Sequence, residues 1–122
     1  MIAHSFAGNK DFGPAQNLHG ATYTVDVEFR SPRLHPRNNW VLDIGEASSI
    51  LSEVCGSLNF SNLDERYPGS ATTTEFVCKE IHQGIARGGG REGYKKGWFK
   101  GGEIKVTIHE SHKAWASYTG PA

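Results

Sequence analysis

Alternating apolar and polar residues mark a strand in the first third of the chain. Between Ala21 and Arg30, every odd-numbered residue is apolar and every even-numbered residue is polar or charged. Side chains two apart on a strand project to the same face. The pattern therefore predicts an antiparallel strand with one buried face.

Three further strands are predicted from shorter stretches with the same spacing. They are a short N-terminal strand with Ile2, His4 and Phe6, a strand with Ile104, Val106 and Ile108 on one face, and a strand from Ala114 to Tyr118. Four strands separated by polar or glycine-rich connections favour a small antiparallel sheet.

Two stretches have the spacing of amphipathic helices. The first places Ile44, Ala47, Ile50, Leu51 and Val54 on one face and is expected to stop at Gly56. The second is expected to begin at Thr72, because Thr72 and Glu75 have the spacing of a capping box, and to end near the glycines at 88 to 90. The order of elements predicts an α+β fold, with two helices on one face of a four-stranded antiparallel sheet in a single domain over 1–122.

Charge and composition limit the kinds of binding partner that the chain is expected to have. Thirteen basic residues balance thirteen acidic ones, so no long-range field favours nucleic acid or an anionic membrane. No window has the length and hydropathy of a membrane span, and a soluble, cytoplasmic protein is expected. The two cysteines, Cys55 and Cys78, are expected to be buried free thiols. The glycine-rich segment 88–102 is expected to form a mobile surface loop.

Two histidines lie on strand faces that they share with apolar residues. His4 alternates with Ile2 and Phe6, and His19 precedes Ala21 on the face of the next strand. A buried imidazole needs a hydrogen-bond partner or a metal, and two such ligands are fewer than the three that a catalytic zinc takes from protein. Both interpretations stay open from spacing alone.

Glu110 lies two residues beyond Ile108, at the end of a buried face. A carboxylate there needs a partner. The partner could be a ligand edge with adjacent N–H donors, such as that of a pterin or guanine, or a lysine or arginine of the chain. Glu75 is fully explained by a capping box.

Several segments together are similar to one family. LHGATYTVDVEF resembles an LHGH segment that runs into a strand, and AHSF resembles a histidine-bearing N-terminal strand. NNWVLDIGEASSIL, ATTTEF and TIHES resemble three later segments of the same family. On these features the chain resembles the 6-pyruvoyl-tetrahydropterin synthase and 6-carboxy-tetrahydropterin synthase family.

The resemblance implies roles for named residues. His4 and His19 would be zinc ligands, whereas the third histidine of the family is replaced by Ala21. Glu110 would hold the amino-pyrimidine edge of a pterin, in a pocket also lined by Thr73, Thr74 and Glu75. The catalytic cysteine corresponds to Ala15, and the catalytic Asp-His pair corresponds to Asn59 and Phe60.

The family has the tunnelling fold, in which trimers close their sheets into a barrel, are usually doubled to a hexamer, and form pockets between subunits. Three functions follow from the resemblance. The chain could bind a pterin or purine-like heterocycle with altered or lost lyase activity. It could be an active zinc lyase on a dihydroneopterin triphosphate-like substrate, with His109, His112, Asp64 or Glu65 replacing the missing groups. It could instead be an oligomeric scaffold or regulatory subunit that contacts a partner through the 88–102 loop.

Overall fold

The computed structural model of the chain describes residues 1–88 and 101–122. Six strands and three α-helices are present in these residues, together with a 3-10 helix over Lys10–Gln16. The strands are β1 (Ile2–His4), β2 (His19–Ala21), β3 (Thr24–Arg30), β4 (Ser61–Asn62), β5 (Glu103–Ser111) and β6 (Ala114–Pro121). The helices are α1 (Ile44–Leu58), α2 (Leu63–Arg66) and α3 (Thr74–Ala86).

The strands form two three-stranded sheets in the described part of the chain, and the predicted single four-stranded sheet is wrong. One sheet has the order β3-β5-β6 and is antiparallel throughout. The other has the order β2-β1-β4, with β1 antiparallel to β2 and parallel to β4. The division arises because the predicted strand of residues 21–30 is interrupted between Ala21 and Thr24, so that its two parts pair with different neighbours.

The core lies between the β3-β5-β6 sheet and the helices. Ile104, Val106 and Ile108 are fully buried on one face of β5, as their alternation predicts. They pack in one cluster with the buried face of α3 and with Ile50 of α1. The α+β class is therefore confirmed, with the long antiparallel sheet as its framework.

Helix α1 differs from its prediction at both ends. Ile44 was placed on the apolar face, but it is 80% exposed at the first position of the helix. Gly56 does not stop the helix, which continues to Leu58 because the buried Leu58 adds one more contact with the core. Both cysteines are free thiols, with Cys78 buried and Cys55 half-buried.

The N-cap of helix α3 lies one residue later than the capping box predicted. Thr73 is the N-cap, and its Oγ1 accepts a hydrogen bond of 3.2 Å from the backbone N–H of Phe76. Thr72 is fully buried and contacts His4 instead. The helix ends at Ala86, close to Gly88, whose positive φ of 65° suits the residue after a helix.

Short elements were not predicted from the pattern. The 3-10 helix, β4 and α2 are too brief for periodicity to show. Most of the predicted 88–102 loop lies outside the described residues. Among the helices of residues 1–88 and 101–122, none has the length and hydropathy needed to cross a membrane.

Candidate functional site

A cleft of about 620 Å³ opens where the two sheets and the start of α3 meet. Its lining combines imidazole, carboxylate, hydroxyl and aromatic side chains. They are His4, Phe6, Phe12, Ala15, His19, Gly20, Ala21, Thr22, Tyr23, Thr73, Thr74, Glu75, Glu110, Ala114, Trp115 and Ala116. All six residues proposed from the sequence for ligand or metal binding therefore lie around one cleft of a single chain.

One side of the cleft, here called the carboxylate wall, consists of Thr73, Thr74, Glu75 and Glu110. The Thr74 hydroxyl donates a hydrogen bond to Oε1 of Glu110. No lysine or arginine of the described residues pairs with this carboxylate. The salt-bridge alternative for Glu110 is therefore not observed in this part of the chain.

A β-bulge sets the direction of Glu110. The register of β5 with β6 shifts between His109 and Ser111, which leaves Glu110 without a partner in the ladder. A bulge bends the strand and turns the extra side chain away from the regular alternation. Glu110 is consequently exposed at the cleft, although Ile108 two residues earlier is fully buried.

Tyr23 lies beside the carboxylate wall and was predicted only as an apolar strand position. Burial, and then the negative charge of Glu110, raise the pKa of the Tyr23 phenol above its ordinary value, while a hydrogen bond with Thr74 opposes the shift. The phenol therefore stays protonated over the physiological range and can donate a hydrogen bond. The alternation of residues 21–30 placed Tyr23 correctly but carried no sign of this polar role.

The opposite side, here called the imidazole wall, consists of His4, Ala15, His19 and Ala21. Strands β1 and β2 pair His4 directly with His19, and their ring centroids are 4.6 Å apart. Nδ1 of His4 lies 3.0 Å from the carbonyl oxygen of Thr72 and 3.1 Å from its Oγ1. Nδ1 of His19 lies 2.8 Å from the carbonyl oxygen of Asn17. Both rings are therefore oriented by backbone acceptors.

Opposing effects act on the pKa of His4. Burial lowers the pKa of His4, and neighbouring His19 lowers it further, whereas the hydrogen bond with Thr72 and the charges of Asp64 and Glu110 raise it. The net direction is downward, so the imidazole is neutral at neutral pH. A neutral His4 can accept a hydrogen bond at Nε2.

Asp64 lies behind the imidazole wall and lines a neighbouring cleft. Its carboxylate accepts hydrogen bonds from the Ser5 backbone N–H at 3.0 Å and the Ser5 hydroxyl at 2.6 Å. Burial raises the pKa of Asp64, but these hydrogen bonds and the nearby histidines outweigh burial and leave the pKa below its ordinary value. Asp64 thus remains an ionised acceptor that ties β1 to α2.

The zinc site implied by the family resemblance is incomplete in the described residues. His4 and His19 supply two imidazoles, but the position two residues after His19 carries the methyl group of Ala21. Residues 1–88 and 101–122 contain no group of three histidine, cysteine, aspartate or glutamate side chains arranged to hold a metal. This donor set does not fit the three protein ligands of a catalytic zinc.

The three positions that correspond to catalytic residues of the family are scattered. Ala15 lines the cleft, and its carbonyl accepts a 3.1 Å hydrogen bond from the backbone N–H of Phe6. Asn59 caps the end of α1 and accepts a 2.9 Å hydrogen bond from the N-terminal amine. Phe60 is 82% exposed with a positive φ of 59°. Neither Asn59 nor Phe60 lines this cleft.

The proposed substitutes for the catalytic groups also lie elsewhere. His109 pairs with Asp26 at 3.1 Å on the outer face of the sheet, and His112 is exposed in the turn between β5 and β6. Glu65 is exposed on α2. None of these residues, nor Asp64, lines the cleft.

Aromatic residues of the cleft were not predicted as site residues. Phe6 and Phe12 stack with ring centroids 3.9 Å apart and an interplanar angle of 6°. Trp115 of β6 also lines the cleft and is 61% exposed. Trp115 could have been proposed as a site residue from the sequence, because it is an aromatic residue on a predicted short strand. No local pattern could reveal that Phe12, in a 3-10 helix, would reach the cleft.

Comparison with known proteins identifies the family and the fold. A sequence model described as 6-pyruvoyl tetrahydropterin synthase matches residues 1–121. Among solved structures, the 6-pyruvoyl tetrahydropterin synthase of Caenorhabditis elegans is similar, with a TM-score of 0.77 and 23% identity over 98% of this chain and 88% of that chain. That likeness shows a shared fold, and no curated protein matches the sequence. Because the family match spans nearly the whole chain, the protein belongs to the 6-pyruvoyl tetrahydropterin synthase family.

Proposed function

We propose that this chain binds a pterin or a related purine-like heterocycle in the cleft, with the lyase activity of the family altered or lost. The observation that carries the proposal is the Glu110 carboxylate, which is held by the Thr74 hydroxyl and has no cation partner in the described residues. Each carboxylate oxygen has two acceptor sites. Glu110 can therefore keep Thr74 and still accept two parallel N–H bonds from an amino-pyrimidine edge.

The surroundings of Glu110 suit a flat, polar-edged ring. Thr73 and Thr74 bring hydroxyl groups to the cleft, and Tyr23 adds a phenol that stays protonated. Trp115 and the stacked Phe6 and Phe12 supply aromatic surface. Convergent polar groups beside aromatic surface are typical of a small-molecule site.

Altered or lost lyase chemistry is part of the proposal because the catalytic positions carry unsuitable side chains. The methyl group of Ala15 can neither donate a proton nor attack a substrate. Asn59 and Phe60 do not titrate near neutral pH and so cannot relay a proton.

A homo-oligomer, either a trimer or a hexamer, is also part of the proposal. Within the described residues β3 and β6 pair with β5 alone, so the long sheet has two open edges. Open edges favour pairing with another strand, and closure into a barrel removes them. Residues of a neighbouring chain would then complete the outer part of the cleft.

Calorimetric titration with neopterin and biopterin tests the binding. We expect both to bind, and Glu110→Gln to weaken binding about 10- to 100-fold, because glutamine replaces one of two charged acceptors with a donor. Glu103→Gln is the matched control: Glu103 is an exposed glutamate on the same strand, outside the cleft, and should leave affinity unchanged.

Two results would contradict the proposal. One is the absence of heat with every pterin and guanine-like compound. The other is an equal loss of affinity in Glu110→Gln and Glu103→Gln, which would mean that overall charge and not the cleft governs binding. Sedimentation of the same samples reports whether the chain is a monomer, trimer or hexamer.

A further inference from the structure

The two histidines of the imidazole wall contact backbone carbonyls through the same nitrogen, Nδ1. A carbonyl oxygen can accept but never donate, so the contacts of Nδ1 with Thr72 and Asn17 require a hydrogen on Nδ1 in both His4 and His19. A ring with its hydrogen on Nδ1 has its lone pair on Nε2 whenever it is neutral. In the described residues neither Nε2 atom has a hydrogen-bond partner.

These two acceptors lie close together and are partly removed from water. His4 is only 4% exposed, and its ring centroid is 4.6 Å from that of His19. Both Nε2 atoms still reach water in the described residues, but a ligand that fills the cleft would displace that water, and an acceptor then left without a partner is costly. The arrangement therefore calls for a donor on whatever occupies the cleft.

A metal ion is a poorer match to this pair than an organic donor. Zinc in a catalytic site takes three protein ligands, whereas Ala21 has a methyl group at the position for which the resemblance implies the third histidine, and Ala15 adds a second methyl group to the lining. The small side chains also leave room for ligand atoms next to the imidazoles. A hydroxyl group can donate to each Nε2 and needs no additional protein ligand.

We propose that the cleft binds its ligand without a metal ion, and that Nε2 of His4 and Nε2 of His19 accept hydrogen bonds from hydroxyl groups on the ligand's side chain. The inference rests on the proposed function, since the heterocycle held by Glu110 sets the direction in which its side chain extends. It assigns the histidines a role in selectivity: ligands with a hydroxylated side chain are preferred over ligands without one.

The first experiment compares neopterin, which carries a hydroxylated side chain, with 6-methylpterin, which does not. Calorimetric titration uses untagged protein, with and without EDTA. We expect neopterin to bind about tenfold more tightly than 6-methylpterin, with equal affinity in both buffers. The preference should disappear in His19→Phe, and His112→Phe, in the exposed turn, should retain it.

The results separate this inference from the proposed function. Affinity for neopterin that falls more than about tenfold in EDTA, and returns with added zinc, would overturn the metal-free role while the heterocycle site stands. Equal affinity for the two pterins would overturn the role of the hydroxyl groups. Failure of both pterins to bind would instead contradict the proposed function.

The second experiment uses zinc alone and needs no pterin. We expect dialysed wild-type protein to retain no stoichiometric zinc, and Ala21→His to retain about one zinc per chain, because it adds a third imidazole beside His4 and His19. Adding His19→Ala to that variant should remove the metal. Thr119→His is the matched control, because it adds an imidazole at an exposed strand position outside the cleft, opposite Lys105.

Either of two outcomes would overturn the inference regardless of the titrations. One is wild-type protein that retains about one zinc per chain and loses it on His19→Ala. The other is an Ala21→His variant that has the circular dichroism spectrum of the wild type but binds no zinc, which would show that the imidazoles do not converge on a common point.

Discussion

The two walls of the cleft are supported in different ways. The carboxylate wall stands on the core, because Thr74 is buried at the start of α3 and Glu110 follows the fully buried Ile108 on a nine-residue strand. The imidazole wall rests on two three-residue strands and on a 3-10 helix in which no residue is buried. The carboxylate wall is therefore part of the framework, whereas the imidazole wall is built from short elements beside it.

This difference explains where the chain departs from the resemblance that it shows. Glu110 and Thr74, on the carboxylate wall, keep the residue types expected for a pterin site. Ala15 and Ala21, on the imidazole wall, have methyl groups where the resemblance implies a cysteine and a histidine. Ala15 and Ala21 are only partly buried, so a change of side chain at these two positions costs the core less than a change at Ile108 would.

Removing core support from the carboxylate wall should have the largest effect on stability. Ile108→Ala deletes buried methyl and methylene groups next to Glu110 and should lower the free energy of unfolding by about 3 kcal/mol, within the usual range of 2 to 5. Ile44→Ala is the matched control, because Ile44 is 80% exposed and the same deletion should change stability by less than about 0.5 kcal/mol. Urea denaturation measures both, and equal losses would show that β5 does not carry the core.

Backbone strain in the imidazole wall should have the next largest effect. Gly13 has φ 52° and ψ −130°, a conformation open to glycine alone, between Phe12 and the segment that carries Ala15. Gly13→Ala should lower the free energy of unfolding by about 1 to 2 kcal/mol, although no atom obstructs the added Cβ.

Gly56→Ala provides the contrast for that variant. Gly56 lies within α1, and the space that the Cβ of an alanine would occupy is also open. Alanine should therefore raise the free energy of unfolding by about 0.5 to 1 kcal/mol. Thermal denaturation compares the two variants. If both variants shift the melting temperature in the same direction, the positive φ of Gly13 is not needed for the stability of the imidazole wall.

Protonation of His4 should give the smallest effect. Burial and the neighbouring His19 lower the pKa of His4 below its ordinary value of 6.5. The unfolded chain therefore binds this proton more readily, so the contribution of His4 is complete above pH 6.5 and is lost as the pH falls from 6.5 toward the folded pKa. Stability should decline over this window.

His4→Gln tests this pH dependence. The variant should reduce the slope of the unfolding free energy against pH between about 7 and 5, measured by urea denaturation at several pH values. His112→Gln, in the exposed turn of residues 112–113, should leave the slope unchanged. An unchanged slope in His4→Gln would place the titrating group elsewhere.

Much of the framework could be predicted from the sequence because hydrophobic periodicity records burial. The alternation around Val25 and Val27, and the buried face of Ile104, Val106 and Ile108, are confirmed. The predicted N-cap of α3 was wrong by one residue, since Thr72 and Thr73 have the same chemistry and only the position of His4 makes Thr72 its partner. The division into two sheets could not be predicted, because periodicity does not show which strands pair.

The candidate site shows the same limit. Parity indicated that His4, His19 and Glu110 each lie at the edge of an apolar face, and the family resemblance related them to one pocket. The roles of Tyr23, Phe6 and Phe12 could not be predicted, because periodicity does not show that their segments pack around one cleft.

The sequence by itself determined which residues face inward, the α+β class and the family, because these depend on local spacing and residue type. The tertiary structure decided which faces meet: it brought β1, β2, the start of α3 and the end of β5 around one cleft. The physical reason is that a side chain's direction follows from its own backbone, whereas its neighbours depend on how distant segments pack to bury their apolar faces.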